Sequence, residues 1–233
     1  MQYTAHRALT MIKTIKARLA KELAVDASAW VRVSLGQDEH ISGIPIKEIQ
    51  REFQSRYDRV TALIENYIKI KSAVVQSNAG INPDSDIKRV SVAGKYLTVA
   101  EIIELLDTVY GRDKKSGFKS ALLFKMKMDY SQATKEFDRA QQKADEKVDQ
   151  YLQVLMGNKK DSDNDDDKTK SLIESTGKML HEKQAPHLVD PLKIADKIQA
   201  FENEIEEFRT EADAVLSEQN ALTLIEVNLA EIK

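Results

Sequence analysis

The sequence predicts a mainly α protein: long antiparallel coiled-coil helices with a small β-sheet or hairpin element at one end. Three observations predict it. The chain has 233 residues, 31% of them charged and 6% aromatic, with only 8 glycines and 4 prolines, so helix formers dominate and breakers are scarce. Apolar residues recur at spacings of three and four over very long runs. Strand formers are confined to three short stretches, 30–35, 88–97 and 221–227, each next to a helix end. An all-helical bundle without a sheet is the structural rival.

The first helix is expected over about 3–24, with Ala5, Leu9, Ile12, Ile15, Leu19 and Leu23 as its stripe. Trp30-Val31-Arg32-Val33-Ser34-Leu35 then reads as a strand ending at Gly36. Pro45 suits the first turn of the next helix, where a missing N–H costs nothing. That helix carries Ile46, Phe53, Val60, Tyr67 and Val74 at seven-residue steps. Ile49, Leu63 and Ile70 fall at the complementary position, interrupted once by Arg56. The run closes at Ser77-Asn78-Ala79-Gly80.

Beyond it, Val90 and Val92 alternate, Ala93-Gly94-Lys95 supplies a turn, and Tyr96-Leu97 begins the return strand. Thr98 with Glu101 three residues on is a capping box, so a helix should start at Val99 with Ile102, Ile103, Leu106 and Tyr110 on its stripe. Gly111 and Gly117 mark a break. A long arm follows, with Tyr130, Phe137, Ala144 and Tyr151 in one heptad series and Met126, Ala133 and Ala140 in the other; it stops at Gly157. After an acidic loop comes a short amphipathic stretch, 172–182, with Leu172, Ile173, Met179 and Leu180. Pro186 and Pro191 bracket a connector, and Asp190-Pro191 reads as an N-cap followed by proline at the first helical position. The last helix has its seam at Ile194, Ile198, Phe201, Ile205, Phe208, Ala212 and Val215. The expected division is a helical base, 1–110 with 218–233, carrying the β element, and a coiled-coil arm, 111–217, with a disordered loop at 158–168.

Several function classes find no support. Without cysteine there is no disulfide, thiolate metal site or cysteine nucleophile. No apolar run approaches the ~18 residues of a transmembrane helix, and the N-terminus lacks the apolar core of a signal peptide. A net charge of −3 gives no general attraction to nucleic acid or anionic membrane. Walker, dinucleotide and nucleophile-elbow motifs are missing. The loop Asp161-Ser162-Asp163-Asn164-Asp165-Asp166-Asp167 begins like a calcium loop. However, Asp166 stands where that loop needs glycine, and Leu172 stands where it needs a bidentate glutamate. His181-Glu182 starts a zinc-protease pattern that Ala185 breaks. No metal or cofactor is therefore expected, and no catalytic residue. The one basic cluster is Arg112, Lys114, Lys115 and Lys119, continued by Lys125 and Lys127, with only Phe118 and Phe124 as interleaved aromatics. It is the candidate interaction site; too few rings accompany it for a nucleic-acid surface.

In "IKSAVVQSNAG", followed shortly by "VSVAGKYLTVAEIIELLDT", a long helix ends in Asn-Ala, a short hairpin carries a glycine turn and a Leu-Thr, and a helix follows; "SEQNALTLIEV" again places Asn-Ala after a heptad helix and before a strand. Over Ile46–Tyr110 and Pro191–Val227 this resembles uncharacterised helical proteins of bacteriophages of Gram-positive hosts and, more remotely, the septicolysin-like helical proteins of bacteria. The resemblance implies coiled-coil helices with a small β element. Septicolysin-like proteins are described as pore-forming toxins, but no residue here carries that role. The function expected is a non-enzymatic structural or interaction protein that works by helical surfaces and self-association, in the cytoplasm of a bacterial host or in a virion. The alternatives are a factor that binds a host protein or nucleotide through 111–127, and a membrane-acting protein.

Overall fold

The structure, a computed structural model, describes residues 3–24, 30–36, 39–78, 89–113, 116–157 and 167–222. It is mainly α, with long helices and small two-stranded antiparallel sheets. The helices are α1 (Ala5–Leu23), α2 (Ile46–Asn78), α3 (Val99–Leu105), α4 (Phe118–Gly157), α5 (Asp167–Gln184) and α6 (Ile194–Leu222). The strands are β1 (Arg32–Leu35), β2 (His40–Ile41), β3 (Ile44–Pro45), β4 (Val90–Val92), β5 (Lys95–Leu97) and β6 (Pro186–Val189). Contacts group the chain into two compact units. One holds Met1–Leu23, Val60–Phe124 and Ile198–Lys233; the other holds Ala24–Arg59 and Lys125–Lys197.

In the first unit α1 buries Ile12, Ile15 and Leu19, while Leu9 of the expected stripe is exposed. The hairpin β4–β5 forms as expected, pairing Val92 with Lys95 and Val90 with Leu97. Its turn places both Ala93 and Gly94 at positive φ, 47° and 70°, the backbone of a turn whose twist matches a hairpin. Alanine is a strained choice there, and the carboxylate of Glu211 accepts the Ala93 N–H at 2.6 Å. The capping box is present in full. Thr98 Oγ1 accepts the Glu101 N–H, and Glu101 accepts from both the Thr98 N–H and its hydroxyl, each at 2.9 Å.

The helix that starts there does not keep one period. A π-helical turn, Leu106–Tyr110, follows α3 directly, and one wide turn rotates the side chains after it relative to those before. Ile102, Leu105, Leu106, Val109 and Tyr110 are buried, and Ile103, expected on the stripe, is exposed.

In the second unit the strand expected at 30–35 appears as β1. Its partner was not foreseen: it is β6, the segment read as a connector, with Arg32 opposite Val189 and Leu35 opposite Pro186. The single small sheet expected from the sequence is thus replaced, among the described residues, by three separate two-stranded sheets. The strand expected at 221–227 is corrected at its start, because Ala221 and Leu222 continue α6; 223–227 lie outside the described residues. Pro45 sits in β3 instead of the first helical turn, and the Ile46 N–H that opens α2 donates to the Glu39 carbonyl at 2.8 Å.

Asp190 does cap α6, but from further out than expected. Its carboxylate takes the Ile194 N–H at 2.8 and 3.1 Å, so Pro191 belongs to the preceding turn and the helix begins three residues later. Burial pushes the Asp190 carboxyl above its ordinary range, against the opposing pull of these backbone N–H groups.

The long helices also depart from strict heptads. On α2, Ile64 is buried where Leu63 was expected, and Leu63 is half-buried. On α4 the buried or half-buried line is Leu122, Met126, Asp129, Ala133, Phe137, Ala140, Ala144, Val148 and Leu152, while Tyr151 of the expected series is exposed. The steps run four, three, four, four, three, four, four and four. The face therefore repeats every eleven residues for most of its length, a period of about 3.67, in place of 3.5.

Candidate functional site

Residues around Tyr110, in the first unit, form the densest polar cluster. Tyr110 is fully buried, and its ring stacks on Phe208 with centroids 3.8 Å apart and planes 7° apart. Lys95, from β5, donates to the Tyr110 hydroxyl at 2.5 Å, and that hydroxyl donates to Glu204 of α6 at 3.4 Å. Lys119, from the first turn of α4, pairs with the same carboxylate and lies over the Tyr110 ring at 4.9 Å. Burial, and then the neighbouring Lys119 charge, push the Lys95 ammonium below its ordinary range. Burial raises the Tyr110 phenol, and the Glu204 charge adds to that.

The backbone just after Tyr110 is held from the same helix. Arg209 donates to the carbonyls of Tyr110 at 2.9 Å and of Gly111 and Asp113 at 2.5 Å, and to Ser120 Oγ at 3.0 Å. Ser120 in turn donates to the Tyr110 carbonyl at 2.6 Å. Gly111 has φ 75°, and a Cβ there would overlap the Ser116 carbonyl oxygen.

Of the expected interaction residues, Lys119 is therefore turned inward, with its side chain 13% exposed. Arg112 is exposed and paired with Asp107. Lys114 and Lys115 lie outside the described residues. Further along α4, Lys125 pairs with Asp129 at 3.4 Å. Of the sequence run that reads as a basic patch, Arg112, Lys119 and Lys125 are thus engaged with acids, two of which are near neighbours in sequence and one, Glu204, distant.

The second unit is different in kind. Between α4 and α5 an open groove of ≈ 570 Å³ is lined by Val148, Leu152, Ile173, Gly177 and His181 among others. Outside its lining, on the same two helices, Tyr151, Val154, Leu172 and Met179 are 55, 63, 66 and 49% exposed. His181 meets Asp145 at 3.1 Å and Gln141 at 3.3 Å. Among the described residues no group of three metal-ligating side chains comes together. The calcium-like run 161–166 lies outside them, and α5 begins at Asp167, inside the stretch read as loop.

A second groove, ≈ 470 Å³, has Ala140 and Ala144 of α4 in its lining, with Arg139, Lys143, Lys147 and, from α5, Lys183 around it. All four cations are exposed. Sequence reasoning missed this set because the residues are spread over forty positions. The available signal was the four-residue spacing of Arg139, Lys143 and Lys147, which aligns them on one helix face.

These features define a protein of long helices with small hairpin sheets, and no helix among the described residues is long and apolar enough to cross a membrane. No protein family, curated protein or solved structure matches the chain.

Proposed function

We propose that this protein is a non-enzymatic structural or interaction protein that acts through its helical surfaces and associates with itself. The observation that carries this reading is the apolar side chains left exposed on two helices of the second unit, Tyr151 and Val154 together on one face of α4 and Leu172 and Met179 together on one face of α5, in addition to the apolar groove between these helices. Exposed apolar groups gathered on one face mark an interaction surface. Scattered singly, they would mean nothing. The polar cluster at Tyr110 supports the same reading from the other side. Its lysines, tyrosine and glutamate bond to one another. The resemblance to helical phage proteins fits a role in an assembly.

Sedimentation of the full chain across a hundredfold concentration range tests the proposal. The expected result is a mass that rises above the 26.3 kDa of one chain, and that falls back towards it in the double variant Val154→Asp, Leu172→Asp. A monomer at every concentration, with the variant indistinguishable from the parent, refutes self-association.

A further inference from the structure

We infer that the basic groove of the second unit is a docking site for an acidic, extended peptide segment, and that the segment it fits is residues 159–167 of a second copy of this chain. The inference rests on the self-association proposed above and names one contact by which it occurs. Arg139, Lys143 and Lys147 form a single row on α4, and Lys183 adds a fourth charge from α5. None of the four has an ion-pair partner among the described residues. Four unpaired cations beside an alanine-lined groove attract an anion, and Glu136 at the end of the row sets a polarity along it.

Spacing identifies the ligand. Four residues of helix rise about 6 Å, so the cations repeat at about 6 Å. Two residues of extended chain rise about 6.6 Å. Asp161, Asp163 and Asp165 occupy alternate positions, so an extended segment presents their carboxylates on one side at nearly the same repeat. With Asp161 at Arg139, Asp163 at Lys143 and Asp165 at Lys147, the lysines preceding the run, Lys159 and Lys160, fall beside Glu136. The signs then match along the whole row.

The segment cannot serve its own groove. Asp161 is four residues, at most about 14 Å of chain, from Gly157, where α4 ends, whereas Arg139 lies eighteen residues back along the same helix, about 27 Å away. A second molecule must supply the segment. Single-stranded nucleic acid is a weaker fit: no aromatic side chain lines the groove to stack on bases, and the chain carries a net charge of −3.

The test is fluorescence anisotropy of a labelled peptide of residues 159–167, titrated with the full-length protein at low salt. Saturable binding is expected, weakened about tenfold or more by Lys143→Glu with Lys147→Glu, as for other close charge pairs across an interface, and weakened again by salt. Both changes are on exposed side chains, and circular dichroism checks the fold. A peptide with Asp161→Lys, Asp163→Lys and Asp165→Lys should recover binding to the doubly reversed protein. Absence of saturable binding, equal binding by the reversed protein, or tighter capture of a single-stranded oligonucleotide of similar length overturns the assignment. Sedimentation at high salt separates the two proposals. Self-association that persists there without peptide binding at low salt leaves the apolar face standing and removes this contact; a monomer under all conditions removes both.

Discussion

The hairpin region around Tyr110 and the α4–α5 region are built from similar residues put to opposite uses. In the first, Lys95 and Lys119 meet Glu204, Arg209 meets three carbonyls, and Phe208 covers Tyr110. In the second, Arg139, Lys143, Lys147 and Lys183 have no ion-pair partner among the described residues, and Tyr151, Val154, Leu172 and Met179 face solvent. Composition does not separate them; partners do. A lysine paired with a half-buried carboxylate is an internal strut, whereas one in a row of its own sign is a surface looking outward.

The contrast can be broken most severely at Phe208. Phe208→Ala removes a fully buried ring stacked on Tyr110, and a loss of about 3–5 kcal/mol in urea unfolding is expected. A loss under about 1 kcal/mol would mean that the stack is not a structural centre. Next comes a pair of glycines, one from each region. Gly111→Ala forces a Cβ against the Ser116 carbonyl at positive φ and should cost about 3 kcal/mol. Gly177→Ala in α5 meets only Leu152 carbons at 3.5 Å, and should raise stability by about 0.5–1 kcal/mol through helix propensity. Opposite signs in one thermal-melt experiment are the expected outcome; the same sign would contradict the contrast.

The smallest effect is one of pH. Burial pushes the Glu101 carboxyl up, but donation from Thr98, with Gln76 and Ser72, outweighs it and holds the group below its ordinary value of 4.5. With the folded value depressed, the stabilisation is complete above the unfolded value and is lost as pH falls through the folded one. Glu101→Gln should therefore cost about 1 kcal/mol at neutral pH and flatten the acid limb of the stability profile. An unchanged acid limb would show that the capping carboxylate is not held ionised by its partners.

What could be read in the sequence was what depends on neighbours. The capping box of Thr98 and Glu101 and the hairpin turn rest on residues within a few positions of one another. The same holds for Asp190, recognisable as a cap although its helix begins further on. What could not be read depends on distance. β6 is four residues long and pairs with a strand more than 150 positions earlier, so nothing local distinguishes it from a connector. Lys119 looked exposed because its partner, Glu204, is 85 residues away. The heptad reading of α4 failed by drift: a seven-residue and an eleven-residue repeat coincide over two or three turns. Asp129, buried in the seam with Lys125 as its partner, Val148, buried where the heptad would place the exposed Lys147, and Tyr151, exposed outside the seam, tell the two apart. The basic groove went unread for the same reason, since Lys183 joins it through tertiary packing.

The eleven-residue period of α4 has a consequence for how such a chain can change length. Eleven residues make three whole turns of that face, so gaining or losing eleven leaves every buried side chain pointing as before. A change of seven falls about 33° short of two turns at that period, and would carry the alanines and the buried Asp129 off their line. Lineages of this protein whose α4 differs in length should therefore differ by elevens, and a single-residue insertion near Ala133 should be far more damaging than the removal of a block ten residues longer.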